Sequence, residues 1–249
     1  MATLAPPQYW DSIYSRRTFT YCKHNVPLRA VLDATFPNTG HLLEIGCYPG
    51  QFLIYLGTEK RLVVSGIDTT PLVNTLPETL RSHNVSFKDI IHGDFFAMRL
   101  PELYDVVCSF GFIEHFPDLR DVLTRHAELV KPGGLLFIST PNFRWLQYAL
   151  HAVFDRTNLA RHCVANMSIS KWHQIVAPLG FTLIKRGYYG TCEFWVEHEP
   201  RSALATWLIP RIRRRLLAID RTVNFPNRFI SPYMYAAWRR RLEGSPSGS

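Results

Sequence analysis

The chain has 249 residues, 47% of them apolar and 19% charged, enough for one sizeable core and too ordinary in composition for a disordered body. Five cysteines, odd in number and without a C-x-x-C pair, argue against a disulfide framework and a zinc knuckle and predict reduced thiols in a cytoplasmic setting. The formal net charge of +8 belongs wholly to residues beyond 200, where ten Arg face only Asp220 and Glu243, so a basic tail follows a neutral body.

Residues 1–40 carry Tyr9, Trp10, Tyr14 and the Arg16-Arg17 pair, then the amphipathic stretch Leu28 to Leu32 and the turn Pro37-Asn38-Thr39-Gly40. They read as an N-terminal helical cap of one or two helices, placed either over the ligand edge of the fold or as plain packing. Leu42 to Ile45 reads as a buried strand running into Gly46-Cys47-Tyr48-Pro49-Gly50, with a helix opening at Gly50 or Gln51. Glycine at 46 and 50 permits a sharp reversal and a close ligand approach. The helix start aims free N–H groups over the turn. Glu44 ends the strand, and Tyr48 takes the middle glycine position of a dinucleotide fingerprint. This E-x-G-x-x-x-G arrangement resembles motif I of the class I S-adenosylmethionine-dependent methyltransferases. The resemblance implies an α/β, Rossmann-like fold: a mixed seven-stranded sheet, last strand antiparallel, with helices on both faces. It also implies S-adenosyl-L-methionine as cofactor, with Glu44, Gly46, Cys47 and Gly50 around it.

Leu62 to Asp68 is a β-branched run ending in an acid about 20 residues after the glycine turn. Asp68 is placed there to accept from both ribose hydroxyls, or to cap the helix that Pro71 opens. Ser86 to Ile91 reads as a third strand. The Gly93-Asp94-Phe95-Phe96 that follows resembles the family's adenine site, which implies Asp94 and Phe95 as cofactor contacts. Tyr104 to Phe110 is a fourth strand, with Phe110 at the cofactor, and the loop after it ends in Glu114-His115. Asp118 to Val130 reads as a helix stopped by Lys131-Pro132-Gly133-Gly134, and Leu135 to Asn142 as the fifth strand. The D-V-V, E-H, K-P-G-G and T-P-N series extends the resemblance over roughly Tyr9 to Tyr189 and places it near the quinone- and small-molecule-modifying branch, with a glycan-modifying activity as another option.

Residues 142–168 interrupt the alternation with an aromatic and histidine-rich insert, at the carboxyl edge of the sheet where acceptor contacts are expected. Ser168 to Leu179 is a helix, Phe181 to Lys185 a sixth strand, Gly187 to Gly190 a bend and Thr191 to Val196 a seventh strand. The methyltransferase core is therefore read as 41–199 and the basic extension as 200–249. Ser202 to Arg241 alternates apolar and Arg clusters and reads as two short basic amphipathic helices. They either pack on the body, touch an anionic membrane or lipid-linked acceptor, or bind nucleic acid. Residues 243–249 read as disordered. No apolar h-region opens the chain and no run of about 18 apolar residues crosses it, so neither export nor a membrane span is expected.

Methyl transfer from a sulfonium needs alignment in a dry site, and a hydroxyl acceptor also needs its proton removed. His115 is the first candidate base and His162 the second, with Tyr188 or Tyr189 orienting the acceptor. Beyond Asp68, Asp94 and Glu114 no cluster suggests a metal. Ser109-Phe110-Gly111-Phe112 lacks the N/D/S-P-P-aromatic motif of DNA amino-methyltransferases, which disfavours nucleic acid. The expected reaction is O-methylation of a small molecule or glycan. The alternative is an inactive cofactor-binding subunit acting through its basic tail.

Overall fold

The computed structural model describes residues 1–16, 19–100, 102–197 and 203–242. Arg17, the start of the basic tail at Arg201 and the end read as disordered lie outside them.

Seven strands form one sheet: β1 His41–Ile45, β2 Val63–Asp68, β3 Phe87–His92, β4 Tyr104–Phe110, β5 Val130–Pro141, β6 Phe181–Tyr189 and β7 Tyr233–Arg240. Their order is β3-β2-β1-β4-β5-β7-β6, parallel except for β7, which runs antiparallel to both neighbours. Nine helices accompany the sheet among the described residues: α1 Pro7–Tyr14, α2 Arg29–Thr35, α3 Gln51–Glu59, α4 Leu76–Ser82, α5 Leu119–Glu128, α6 Leu146–Phe154, α7 Arg156–Leu159, α8 Ile169–Val176 and α9 Ala203–Thr222.

Both sheet faces are covered, which is why β1, β4 and β5 read as nearly unbroken apolar runs. Successive side chains leave a strand on opposite faces. Leu43, Ile45, Val107, Leu136 and Ile138 accordingly join the core under α5 and α8, while Leu42, Val106, Cys108, Leu135 and Phe137 join the core under α2, α3 and α4.

The structure corrects the sequence reading at several places: β5 already includes Lys131 to Gly134, and β6 runs on through Tyr189 where a bend from Gly187 was expected. Tyr233 to Arg240 is a strand inserted between β5 and the edge strand β6, not a basic helix. Met234, Ala236 and Trp238 enter one core, Tyr235 and Ala237 the other, and all five are buried. Met and Ala are good helix formers, so local propensity favours a helix, and the ladders to β5 and β6 override it. Only the end of the strand reaches water, where Arg239 donates to the Gly133 carbonyl at 3.0 Å and Arg240 to that of Val130. Thr191 to Val196, read as the seventh strand, is irregular. Thr191 and Cys192 donate their main-chain N–H groups to Asp220 Oδ1 of α9, at 2.5 and 3.2 Å, instead of to a strand. The basic helix is one element of 20 residues that passes through Pro210.

α9 shows two characters. Leu208, Ile209, Ile212, Leu216 and Asp220 form a partly covered stripe at helical spacing, with Ile209 fully buried. Leu204, Trp207, Leu217 and Ile219 are exposed among Arg211, Arg213, Arg214 and Arg215.

If β7 is an inner strand, Trp238→Ala should cost about 3–5 kcal/mol in urea unfolding, the usual cost of truncating a buried large aromatic. Trp207→Ala, at a side chain 53% exposed, should shift stability by under about 0.5 kcal/mol.

Candidate functional site

The site lies at the carboxyl ends of β1, β2 and β4, in the crevice where strand order reverses. After β1 the chain turns through Gly46 (φ 74°) and Gly50 (φ 90°), both left-handed. A Cβ on Gly46 would stand 2.8 Å from the Phe112 ring, so glycine is required there twice over. The Gly46 N–H donates to the Ile67 carbonyl at 2.9 Å. Asp68 then ties the two loops together: Oδ2 accepts from the Tyr48 N–H at 2.9 Å and Oδ1 from the Thr70 N–H at 3.0 Å. Burial pushes the Asp68 carboxyl upward, against the pull of these main-chain donors. The short helix opened by Pro71 is capped by Thr70, whose hydroxyl accepts from the Leu72 N–H, so Asp68 is not the cap.

A cavity of about 240 Å³ opens over this floor. Of the expected cofactor residues, Gly46, Asp68, Asp94, Phe95 and Phe110 line it. Asp94 Oδ1 accepts from the Phe96 N–H at 2.9 Å, which fixes the turn after β3. Phe110 lies flat against Phe52, ring centroids 3.7 Å apart. Glu44, Cys47 and Gly50 do not line the cavity. Cys47 is packed against Gly66 in the core, and burial raises its thiol well above the usual range. Gly50 meets Leu76. Glu44 is buried, with Oε2 lacking a partner, and burial, with Asp68 nearby, raises its carboxyl as well.

The opposite wall comes from the N-terminal segment: Thr3, Ala5, Pro7, Trp10 and Tyr14 face the cavity. The Leu4 N–H donates to the His115 carbonyl at 2.8 Å. Trp10 meets the His115 ring edge-on at 5.0 Å, and Tyr14 meets Tyr48 at 4.8 Å. Of residues 1–40, those that line the cavity all fall within the first 14. Phe96, Phe112, His115 and Phe116 close the far end. Sequence reading put Trp10 and Tyr14 in the N-terminal cap and Phe96 in the Gly93 to Phe96 turn, but named none of them, nor Phe112 or Phe116, as a site residue. The available signal was spacing, since Trp10 and Tyr14, and Phe112 and Phe116, each stand four apart.

No residue of 142–168 lines the cavity, so the expectation of acceptor contacts from that insert is not met. Phe143, Gln147, His151, Asn158, Asn166 and Met167 are buried instead, as packing behind His115. His162 stands behind His115, ring centroids 4.6 Å apart, outside the cavity. Tyr188 lines a separate cleft with Arg144 and Arg228, and Tyr189 packs against the α3 side of the sheet.

Around His115 the electrostatics are unusual. Its Nδ1 donates to the Arg161 carbonyl at 2.9 Å, and His162 Nδ1 donates to that of Asn158 at 2.8 Å. Burial lowers His115 to about 3, against the pull of the Arg161 and Gly111 carbonyls, and His162 to about 4, so both rings are neutral. Burial raises Glu114 to about 8, and neither of its oxygens has a hydrogen-bond partner. The ligand atoms of Glu114, His115 and His162 all lie within 4.8 Å of one another, a cluster that the sequence did not suggest because His162 is distant in the chain.

Strand order, glycine turn and crevice define a class I methyltransferase fold. A family model described as a methyltransferase domain matches residues 14–186, and the chain belongs to this S-adenosylmethionine-dependent family. Its curated relatives include a ubiquinone biosynthesis O-methyltransferase of Saccharophagus degradans, 36% identical over 104 residues that cover 41% of this chain and 43% of that protein. A similarly named protein of Pseudomonas fluorescens is 35% identical, covering 41% of this chain and 44% of the other. The chain thus matches under half the length of these relatives. Among solved structures, a methyltransferase of Thiobacillus denitrificans with S-adenosyl-L-homocysteine aligns at TM-score 0.58 and 16% identity over 95% of this chain and 99% of that one. The [4+2]-cyclase SpnF aligns at 0.60 and 13% identity over 97% of both. These two likenesses show the fold alone.

The Glu114 pKa sets a pH dependence. Raised from 4.5 to about 8 in the folded chain, it leaves the folded carboxyl neutral while the unfolded one ionises, so stability falls as pH rises from about 4.5 to 8. Urea unfolding of chelator-treated protein across that window should show the fall, and Glu114→Gln should flatten it.

Proposed function

We propose that this chain transfers the methyl group of S-adenosyl-L-methionine to a hydroxyl oxygen of a small, flat, largely apolar acceptor. One observation carries the reading: a single cavity runs from the Gly46 turn and Asp68 to His115 between aromatic walls. Asp68 retains acceptor capacity for ribose hydroxyls beyond its two main-chain bonds. Gly46 lets the cofactor approach the backbone, and Phe95 and Phe110, with Asp94, offer the adenine surface. The cofactor carries its own leaving group, so the protein must align donor and acceptor and exclude water. Trp10, Phe96, Phe112 and Phe116 supply such surroundings. They suit a planar acceptor better than a polyhydroxylated glycan. His115, its Nδ1 committed to the Arg161 carbonyl, lines the cavity beside the place of an acceptor hydroxyl, and His162 backs it. The names of the curated relatives, O-methyltransferases, support oxygen as the acceptor atom. Nothing favours the inactive subunit.

Calorimetry with S-adenosylhomocysteine tests the cofactor site. Asp68→Ala should weaken binding by about 1–3 kcal/mol, the cost of stranding polar partners. Absence of binding by folded wild type at millimolar ligand would sink the assignment.

We also propose peripheral contact of α9 with an anionic membrane surface. Leu204, Trp207, Leu217 and Ile219 stand exposed along the helix that carries Arg211 to Arg215, and Phe225 and Phe229 beyond it are exposed as well. Among the described residues no helix is long and apolar enough to cross a membrane. Each basic residue near an anionic leaflet contributes about 1 kcal/mol. Replacing Arg211, Arg213, Arg214 and Arg215 by Gln should abolish salt-sensitive sedimentation with anionic vesicles. If wild type ignores such vesicles at low salt, α9 is only a packed element of the fold.

A further inference from the structure

We propose that Glu114, His115 and His162 form a binding site for one divalent cation of the zinc class. The site stands on the arrangement of these side chains and does not depend on the methyl-transfer reading.

Glu114 is 1% exposed, and both of its carboxylate oxygens lack a partner. Buried polar groups are nearly always satisfied, and a buried carboxyl left bare costs several kcal/mol. The neighbouring cation does not answer it. Arg161 places its guanidinium 3.9 Å over the Tyr9 ring and donates to the Thr157 carbonyl. What faces Glu114 is two imidazoles. His115 Nε2 lies 3.9 Å from Glu114 Oε1, too far for a hydrogen bond, and all three ligand atoms fall within 4.8 Å.

Each histidine is also prepared as a ligand. Both commit Nδ1 to a main-chain carbonyl, Arg161 for His115 and Asn158 for His162. That bond fixes the tautomer and the ring plane and leaves the lone pair on Nε2, the usual outer-shell device at histidine metal sites. The two chain segments are locked in place as well. The Cys163 N–H donates to the Glu114 carbonyl at 2.7 Å, and the Asn166 amide to that of Phe116 at 2.8 Å.

Two imidazoles and one carboxylate select zinc, cobalt or a similar ion over magnesium, which prefers oxygen ligands alone. Tetrahedral bonds of about 2.0–2.2 Å put ligand atoms about 3.3–3.6 Å apart, so the three side chains must draw in by about an ångström. Three protein ligands leave a coordination position open. Of the three side chains, His115 also lines the cavity.

The test uses the full chain, stripped with chelator and titrated with Co²⁺. Expected is one equivalent bound, with the intense visible absorption of a low-coordinate Co²⁺ centre and displacement by Zn²⁺. Glu114→Gln and His162→Ala should each lose more than about tenfold in Co²⁺ affinity, while exposed His24→Ala should match wild type. If His162→Ala fails to fold, His162→Gln takes its place. S-adenosylhomocysteine binding, measured on the same samples, should persist in every folded variant. Wild type that takes up no Co²⁺, or folded Glu114 and His162 variants that bind it as wild type does, overturns the site. Loss of S-adenosylhomocysteine binding in wild type would strike the methyltransferase reading instead.

Discussion

The pair of hydrogen bonds accepted by the Asp68 carboxylate is the constraint on which the site depends. It holds the turn after β1 to the turn after β2 through the N–H groups of Tyr48 and Thr70. With the Gly46 N–H on the Ile67 carbonyl, this fixes the floor of the cavity as one piece of main chain. Preorganisation of that kind is what a reaction limited by alignment needs. The cost is a buried carboxyl, and main-chain donors offset it more cheaply than a counter-ion would, since they bring no second charge to desolvate.

The walls are built differently. On the β4 side they follow from the sheet: Phe110 ends a central strand, and Phe112, His115 and Phe116 sit in the loop that its carboxyl end must form. On the other side they come from the first 14 residues, which belong to no strand. Trp10 against His115 and the Leu4 N–H on the His115 carbonyl anchor that cover to the loop after β4. Thr3 on the same carbonyl, Tyr9 under the Arg161 guanidinium and on Glu197, and Tyr14 against Tyr48 hold it further. A cover of aromatic rings excludes water.

The insert after β5 has a supporting role. Its buried Phe143, His151 and Met167 fill the space behind the loop that carries His115, and its main chain supplies the carbonyls that orient both imidazoles. A histidine there was visible as a candidate in the sequence. Its use was not, because a ring facing a cavity and a ring backing another ring leave the same letter in the chain.

The sequence by itself determined the parts set by local rules. Alternation and apolar runs placed β1 to β5, glycine marked the turn that only a left-handed backbone can make, and an acid about 20 residues later marked a side chain that lines the same cavity. Those signals are short-range, so they survive without the rest of the molecule. Only the tertiary structure decided the remainder. Tyr233 to Arg240 carries no strand signal strong enough to outweigh its Met, Ala and Arg, and it becomes a strand because β5 and β6 leave a gap that an antiparallel segment fills. Thr191 to Val196 loses its strand to that same segment. The wall from residues 1–14, and the meeting of Glu114 and His115 with His162, require contacts between distant parts of the chain. Such contacts are fixed by packing, on which spacing along the sequence is silent.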